Sequence, residues 1–164
     1  MDLKQRITWQ LQTIRHLTES MISSFTTPQT WTHQLFPGAN HALWVLGHLS
    51  LVDNNVLGKF FDGHQIEKPA YRERFGRGSR PTPNPAEYPP PEEVLAFWRE
   101  RRATLLACLA DFPMEDLDKP VPPGLPPFVK NAGQMFAFIA IHEALHGGQL
   151  SMSRRALGNA PVVG

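Results

Sequence analysis

With a single cysteine, Cys108, in 164 residues, the chain can form no internal disulfide and no cysteine-based zinc site. No apolar run approaches the ~20 residues that a membrane-spanning helix needs; the longest, Met135 to Ile141, is ended by His142. An excess of one charge is also missing. Sixteen Lys and Arg against 15 Asp and Glu leave a formal +1, which excludes bulk attraction to nucleic acid as the main mode of action. The opening residues, MDLKQRITWQ, are charged and amphipathic and lack the apolar core of a signal peptide. The expectation is therefore a cytoplasmic protein with no membrane and no nucleic-acid partner. Period-2 alternation, fixed-length repeats, a G-x-S-x-G elbow, a phosphate loop and a dinucleotide fingerprint are all absent. The length fits one domain, 1–164.

What is abundant is proline, 16 residues, and histidine, seven. The prolines gather at the edges of four stretches and in the gaps between them, and those stretches carry the helical period. In the first, about Asp2 to Thr27, Leu3, Ile7, Leu11, Ile14, Leu17, Met21 and Phe25 recur at steps of three and four. The second, about Ala39 to Asp62, has Leu43, Leu46, Leu49, Val52, Val56 and Phe60 on one side and Gly63 as a terminator. The third, about Pro91 to Phe112, opens with Pro91, Glu92 and Glu93, which suit a helix N-terminus, and stops at Pro113. The fourth, about Asn131 to Leu157, closes on Arg154, Arg155 and Gly158. Nearly thirty residues, Gly63 to Pro90, link the second helix to the third. A crossover of that length lets those two helices run parallel. The fold expected is all-α, a four-helix up-down-down-up bundle with a long crossover between helices 2 and 3. The crossover, which holds Arg72, Arg74, Arg77 and Arg80, reads as a solvated mobile loop or as a grip on an anion. The third connection, Pro113 to Lys130, reads as stiff and extended.

Histidines are placed on the helices in a pattern that chemistry can use. His142 and His146, four apart in the fourth helix, share a face. His48 sits between Leu46 and Leu49 in the second helix. In the up-down-down-up arrangement His48 and His146 stand roughly 14 and 16 Å below the same end of the bundle, at ~1.5 Å per residue. Three inward imidazoles are either packed core residues or ligands of a divalent ion, which would satisfy them. With no fourth protein ligand, such a site keeps an open coordination position, the catalytic pattern.

His142-Glu143-Ala144-Leu145-His146 also fits the H-E-x-x-H of zinc proteases. No third Glu or His follows at a suitable distance, and Glu143 points about 100° away from His142 on a regular helix. Glu143 reads as a solvated or supporting carboxylate. Asp53 reaches an imidazole only with helix distortion. His41, Trp44 and Gln149 are expected to line the pocket, and Trp31, His33 and Phe36 to lie near its mouth. Gly147 and Gly148 suggest close helix approach, and Cys108 reads as a core residue.

The strings Asn40-His41-Ala42-Leu43-Trp44-Val45-Leu46-Gly47-His48-Leu49 and His142-Glu143-Ala144-Leu145-His146-Gly147-Gly148-Gln149-Leu150, in this order and spacing, resemble the DinB-like superfamily. The resemblance covers nearly the whole chain. It implies a four-helix bundle whose metal is held by one histidine of the second helix and two of the fourth, here His48, His142 and His146. Characterised relatives include thiol-dependent S-transferases and a maleylpyruvate isomerase that uses a low-molecular-weight thiol. The implied function is a metal-dependent transfer of such a thiol to a small electrophile. The alternatives are a metal-dependent hydrolase and a non-catalytic metal or small-ligand binding module. Zinc and nickel head the candidate metals, with iron and manganese compatible. Trp9 and Trp98, taken as exposed, point to a homodimer.

Overall fold

The stretches that carry the helical period fold as four long helices, and two short helices occupy the connections. In the computed structural model, which describes residues 1–162, the order is α1 Leu3–Ile22, α2 Pro28–Trp31, α3 Ala42–Phe60, α4 Pro69–Phe75, α5 Pro91–Asp111 and α6 Ala132–Ala156. Among the described residues there is no β-strand, only an isolated bridge between Pro120 and Asn131. No helix among them is long and apolar enough to cross a membrane.

Local chemistry sets the ends. Asp2 and Gln5 close a capping box on α1, and Asn131 caps α6 by accepting from the Gln134 amide. The period of the first stretch continues to Phe25, yet α1 stops at Ile22. Thr27 and Thr30 form a second capping box and Pro28 opens α2, so the chain turns there. Gly158, with φ at +85°, ends α6 in the left-handed conformation that glycine takes most easily.

The long helices meet along named pairs. Lys4 Nζ donates to the carbonyls of Ala110 and Phe112, and Arg99 donates to Glu19, so α1 touches α5 at both ends. Arg154 donates to Ser24 beyond the end of α1. Phe60 packs on Phe136, and Asn40 reaches Gln149. The apolar core forms two clusters. One gathers Met21, Leu43, Leu46, Phe75, Trp98 and Leu150; the other gathers Ile7, Leu11, Leu57, Leu105, Leu109 and Phe136. Each buried side chain of this size contributes about 1.5–3 kcal/mol by leaving water.

The connections differ from the sequence expectation. The crossover is not a solvated loop: α4 buries Tyr71 and Phe75, and Tyr71 donates to Glu93 at the head of α5. Its Arg72 and Arg74 stay exposed and pair with Glu67 and Glu87. The third connection is not simply extended, because a 3₁₀ turn over Met114–Asp118 buries Leu117. Trp98 is also corrected. It is fully buried beneath Arg15, whose guanidinium carbon lies 3.9 Å from the ring centroid, and it offers no surface to a partner.

Candidate metal centre

Helical geometry brings His142 and His146 one above the other on α6, and α3 places His48 opposite them. Ring centroids are 4.7 Å apart for His142–His146, 5.1 Å for His48–His146 and 5.3 Å for His48–His142. One ligand atom from each of the three lies within 4.8 Å of the others. Imidazole nitrogens at about 2.0–2.1 Å from one ion stand at most ~4.2 Å apart, so the three rings reach a common ion by closing slightly around it.

The hydrogen bonds around the rings fix which nitrogens are free. His48 Nδ1–H donates to the Phe75 carbonyl at 2.8 Å, and since a carbonyl only accepts, the proton is on Nδ1 and the Nε2 lone pair is available. His146 Nδ1–H donates to Gln149 Oε1 at 2.9 Å, with the same result. His142 keeps a buried Nδ1 with no hydrogen-bond partner. Burial is the largest cause of a lowered pKa at all three: His142 falls to about 4, helped by the other two imidazoles, and His48 and His146 move the same way. The rings are therefore neutral at physiological pH, the state in which an imidazole binds metal. Two oriented donors and one buried unsatisfied ring meet the requirements of a three-histidine site.

Other anticipated residues fall in several places. Trp44 stacks on His48 with centroids 4.7 Å apart, and its Nε1 donates to Ser79 at 2.8 Å. Gln149 is exposed, and its Oε1 takes hydrogen bonds from both His146 and Asn40. His41 does not line the pocket: it is fully buried, its Nδ1 accepts from the Trp44 amide as the N-cap of α3, and its ring meets Tyr88 edge-on. His33 and Phe36 line a separate cleft of about 690 Å³ with Pro81 and Thr82, which includes none of the three histidines. Trp31 packs on Phe25. Cys108 is half-buried beside Phe61 and Phe112, with Sγ 3.7 Å from His64 Nδ1, away from the triad. Glu143 is not solvated, and Asp53 does not orient an imidazole; both are buried and paired with Arg15 and Arg102.

The glycines also exchange roles. A Cβ at Gly148 would meet nothing within 4 Å, and one at Gly147 would make only an ordinary contact with Met21. Close approach occurs at Gly47 instead, where a Cβ would stand 2.4–2.6 Å from three ring atoms of Phe75. Sequence reasoning passed over Phe75, Ser79 and Arg15 as parts of the site's surroundings. The available signals were the glycine immediately before His48 and an arginine within the apolar period of the first helix.

Residues 8–150 match the family model of the DinB superfamily. No curated protein matches the chain. The match spans most of the sequence and includes all three histidines, and the chain belongs to the DinB superfamily.

Proposed function

We propose that this DinB-superfamily chain holds one divalent metal ion on His48, His142 and His146 and transfers a low-molecular-weight thiol to a small electrophile. The observation that carries the reading is the convergence of three neutral imidazoles, two of them with Nδ1 already committed to oxygen acceptors. Zinc or nickel suits three imidazoles best, and iron or manganese is compatible. The long helices are read as an up-down-down-up bundle with α3 and α5 parallel. Support comes from the opposed pairs Lys4–Phe112 and Glu19–Arg99 and from the partners that α3 and α6 share along their length.

When bound, an ion with three neutral protein ligands and an open position draws electron density from a thiol sulfur and raises the thiolate fraction near neutral pH. The chain's own residues supply orientation and shape. Phe75 and Gln149 hold two ligand rings, and Trp44 walls one side of His48. The Gln149 side-chain amide N–H groups remain free to hydrogen-bond a substrate, since its Oε1 takes the bonds from Asn40 and His146. Cys108 lies in another cleft, so the reacting thiol is a cosubstrate rather than a side chain. Hydrolysis is less well supported, because it needs a free carboxylate base and Glu143 is held by two arginines. The protein is read as cytoplasmic, with small-molecule partners and no nucleic acid. It is also read as a homodimer, for which Trp9 on α1 and Leu145 and Met152 on α6 are exposed apolar candidates.

The test compares wild type with His146→Ala for metal content and for consumption of glutathione, cysteine, bacillithiol or mycothiol with an activated haloarene. About one ion per wild-type chain is expected, well below one in the variant, with thiol loss in wild type alone. Full metal retention by the variant refutes the triad. Metal binding without thiol loss above the variant's background refutes transfer and leaves a binding module.

A further inference from the structure

Beside the histidines lies a closed ring of four charges with one member on each long helix: Arg15 on α1, Asp53 on α3, Arg102 on α5 and Glu143 on α6. Arg102 grips Asp53 through Nε at 2.9 Å and Nη2 at 3.1 Å, and the same Nη2 lies 2.7 Å from Glu143. Arg15 meets Glu143 through Nε at 3.0 Å and Nη2 at 3.2 Å, and that Nη2 also donates to Asp53 at 3.2 Å. The two Nη1 groups donate to backbone carbonyls, Arg15 to Trp98 and Arg102 to Leu11. Every guanidinium nitrogen has an acceptor, and the formal charges sum to zero. The side chains of Asp53, Arg102 and Glu143 are at most 2% exposed.

Such a ring is a weak source of net stability, because desolvation of buried charges roughly cancels their attraction and apolar replacements are often as stable. What it supplies is direction. A step of one residue on a helix moves a side chain ~1.5 Å along the axis and ~100° around it. Apolar side chains can repack around a small slide, but a paired guanidinium and carboxylate lose several charge-assisted hydrogen bonds together. The two carboxylates belong to the two helices that carry the histidines. Glu143 follows His142 directly, and Asp53 lies five residues, ~7.5 Å of helix, beyond His48.

We propose that the Arg15–Asp53–Arg102–Glu143 ring is a register lock that sets the relative height and rotation of α3 and α6 and thereby holds His48, His142 and His146 in convergence. All four are positioning residues, acting through the helices rather than on the ion. The consequence for metal rests on the metal reading above, whereas the convergence of the rings belongs to the metal-free chain.

The test uses the full chain in three variants. Arg15→Met, Asp53→Leu, Arg102→Met and Glu143→Leu together replace the ring with apolar groups, Glu143→Gln removes one charge at constant shape, and Leu109→Ala opens the core of α5 among the other apolar cluster. Readouts are helix content, ring-to-ring nuclear Overhauser effects among the three histidines without metal, zinc affinity against a chromophoric chelator, and the visible spectrum with cobalt. The quadruple variant is expected to stay helical and lose the contacts between His48 and the α6 rings. It should bind zinc about 10–100-fold more weakly and shift the cobalt spectrum. Leu109→Ala should keep all three properties per folded molecule. A folded quadruple variant with unchanged ring contacts and zinc affinity overturns the lock. If it fails to fold, Glu143→Gln carries the test, and unchanged ring contacts and zinc affinity there overturn the lock equally. Wild-type protein with the ring contacts but no affinity for zinc, nickel, iron or manganese refutes the metal reading instead, and the lock is then judged on the ring contacts alone.

Discussion

Replacing Gly47 by alanine adds one methyl group where the structure has no room for it. The new Cβ would stand 2.4–2.6 Å from Phe75 ring atoms, about 1 Å inside the ~3.5 Å at which carbons touch. Phe75 cannot yield cheaply. It is fully buried, edge-on to Tyr71 with centroids 5.2 Å apart and stacked on Tyr88 at 5.7 Å. The relief available is for α4 to move off α3, which withdraws the Phe75 carbonyl from His48 Nδ1. Overpacking costs about 1–3 kcal/mol and the lost hydrogen bond about 0.5–1.5, while the helix propensity of alanine returns up to about 1. The net expectation is a destabilisation of about 0.5–4.5 kcal/mol, together with a 10–100-fold loss of zinc affinity as His48 loses its orienting partner. Gly148→Ala is the matched control, because nothing lies within 4 Å of its Cβ position and only propensity acts. It should stabilise the chain by up to about 1 kcal/mol. Urea denaturation of the metal-free proteins and zinc competition against a chelator measure both effects. If Gly47→Ala stabilises as much as Gly148→Ala and binds zinc as tightly as wild type, the contact with Phe75 does not position His48.

Acid should unfold the metal-free chain in part through His41. Burial holds its pKa at about 4, whereas the unfolded imidazole titrates near 6.5, so folding favours the neutral form. Its contribution is fully present above pH ~6.5 and is lost as pH falls towards 4, about 3 kcal/mol in all. His41→Asn keeps a side-chain cap and should flatten the dependence of melting temperature on pH between 6.5 and 4, leaving the part due to His48, His142 and His146; an unchanged slope refutes the assignment. Light scattering should give twice the chain mass, falling to the chain mass in Leu145→Lys. Wild type at the chain mass refutes self-association.

The four long helices were legible because their apolar period is uninterrupted and their ends carry proline, glycine and capping side chains. The three histidines were legible for a related reason: spacing on a helix fixes direction, and two helices sufficed to bring them together. The crossover was not legible. Pro, Gly and Arg dominate its composition, and its short helix depends on Tyr71 and Phe75, whose partners are distant in sequence: Gly47 of α3 for Phe75 and Phe97 of α5 for Tyr71. Trp98 misled, and Arg15 was passed over, for the same reason. Each reads as surface or core by type alone, and only their stacking, with the guanidinium 3.9 Å from the ring centroid, makes both interior. Local pattern thus places the three histidines, while long-range contacts decide what holds them.

Glu143 is where the two kinds of information conflict, and the conflict bears on chemistry. In the sequence it occupies the position of a catalytic base between two candidate ligands. Its rotation of about 100° from His142 carries it off the ligand face, and on an isolated helix that direction would be solvent. In the bundle the same direction is filled by α1 and α5, which present Arg15 and Arg102. The carboxylate is fully buried and its two oxygens accept from both guanidinium groups. Both oxygens are therefore already engaged by guanidinium donors and point away from the open side of the triad. The proposed transfer asks nothing of Glu143, since a thiol can give up its proton to solvent, and the Gln149 amide N–H groups at the exposed edge of the triad are free to hold a substrate.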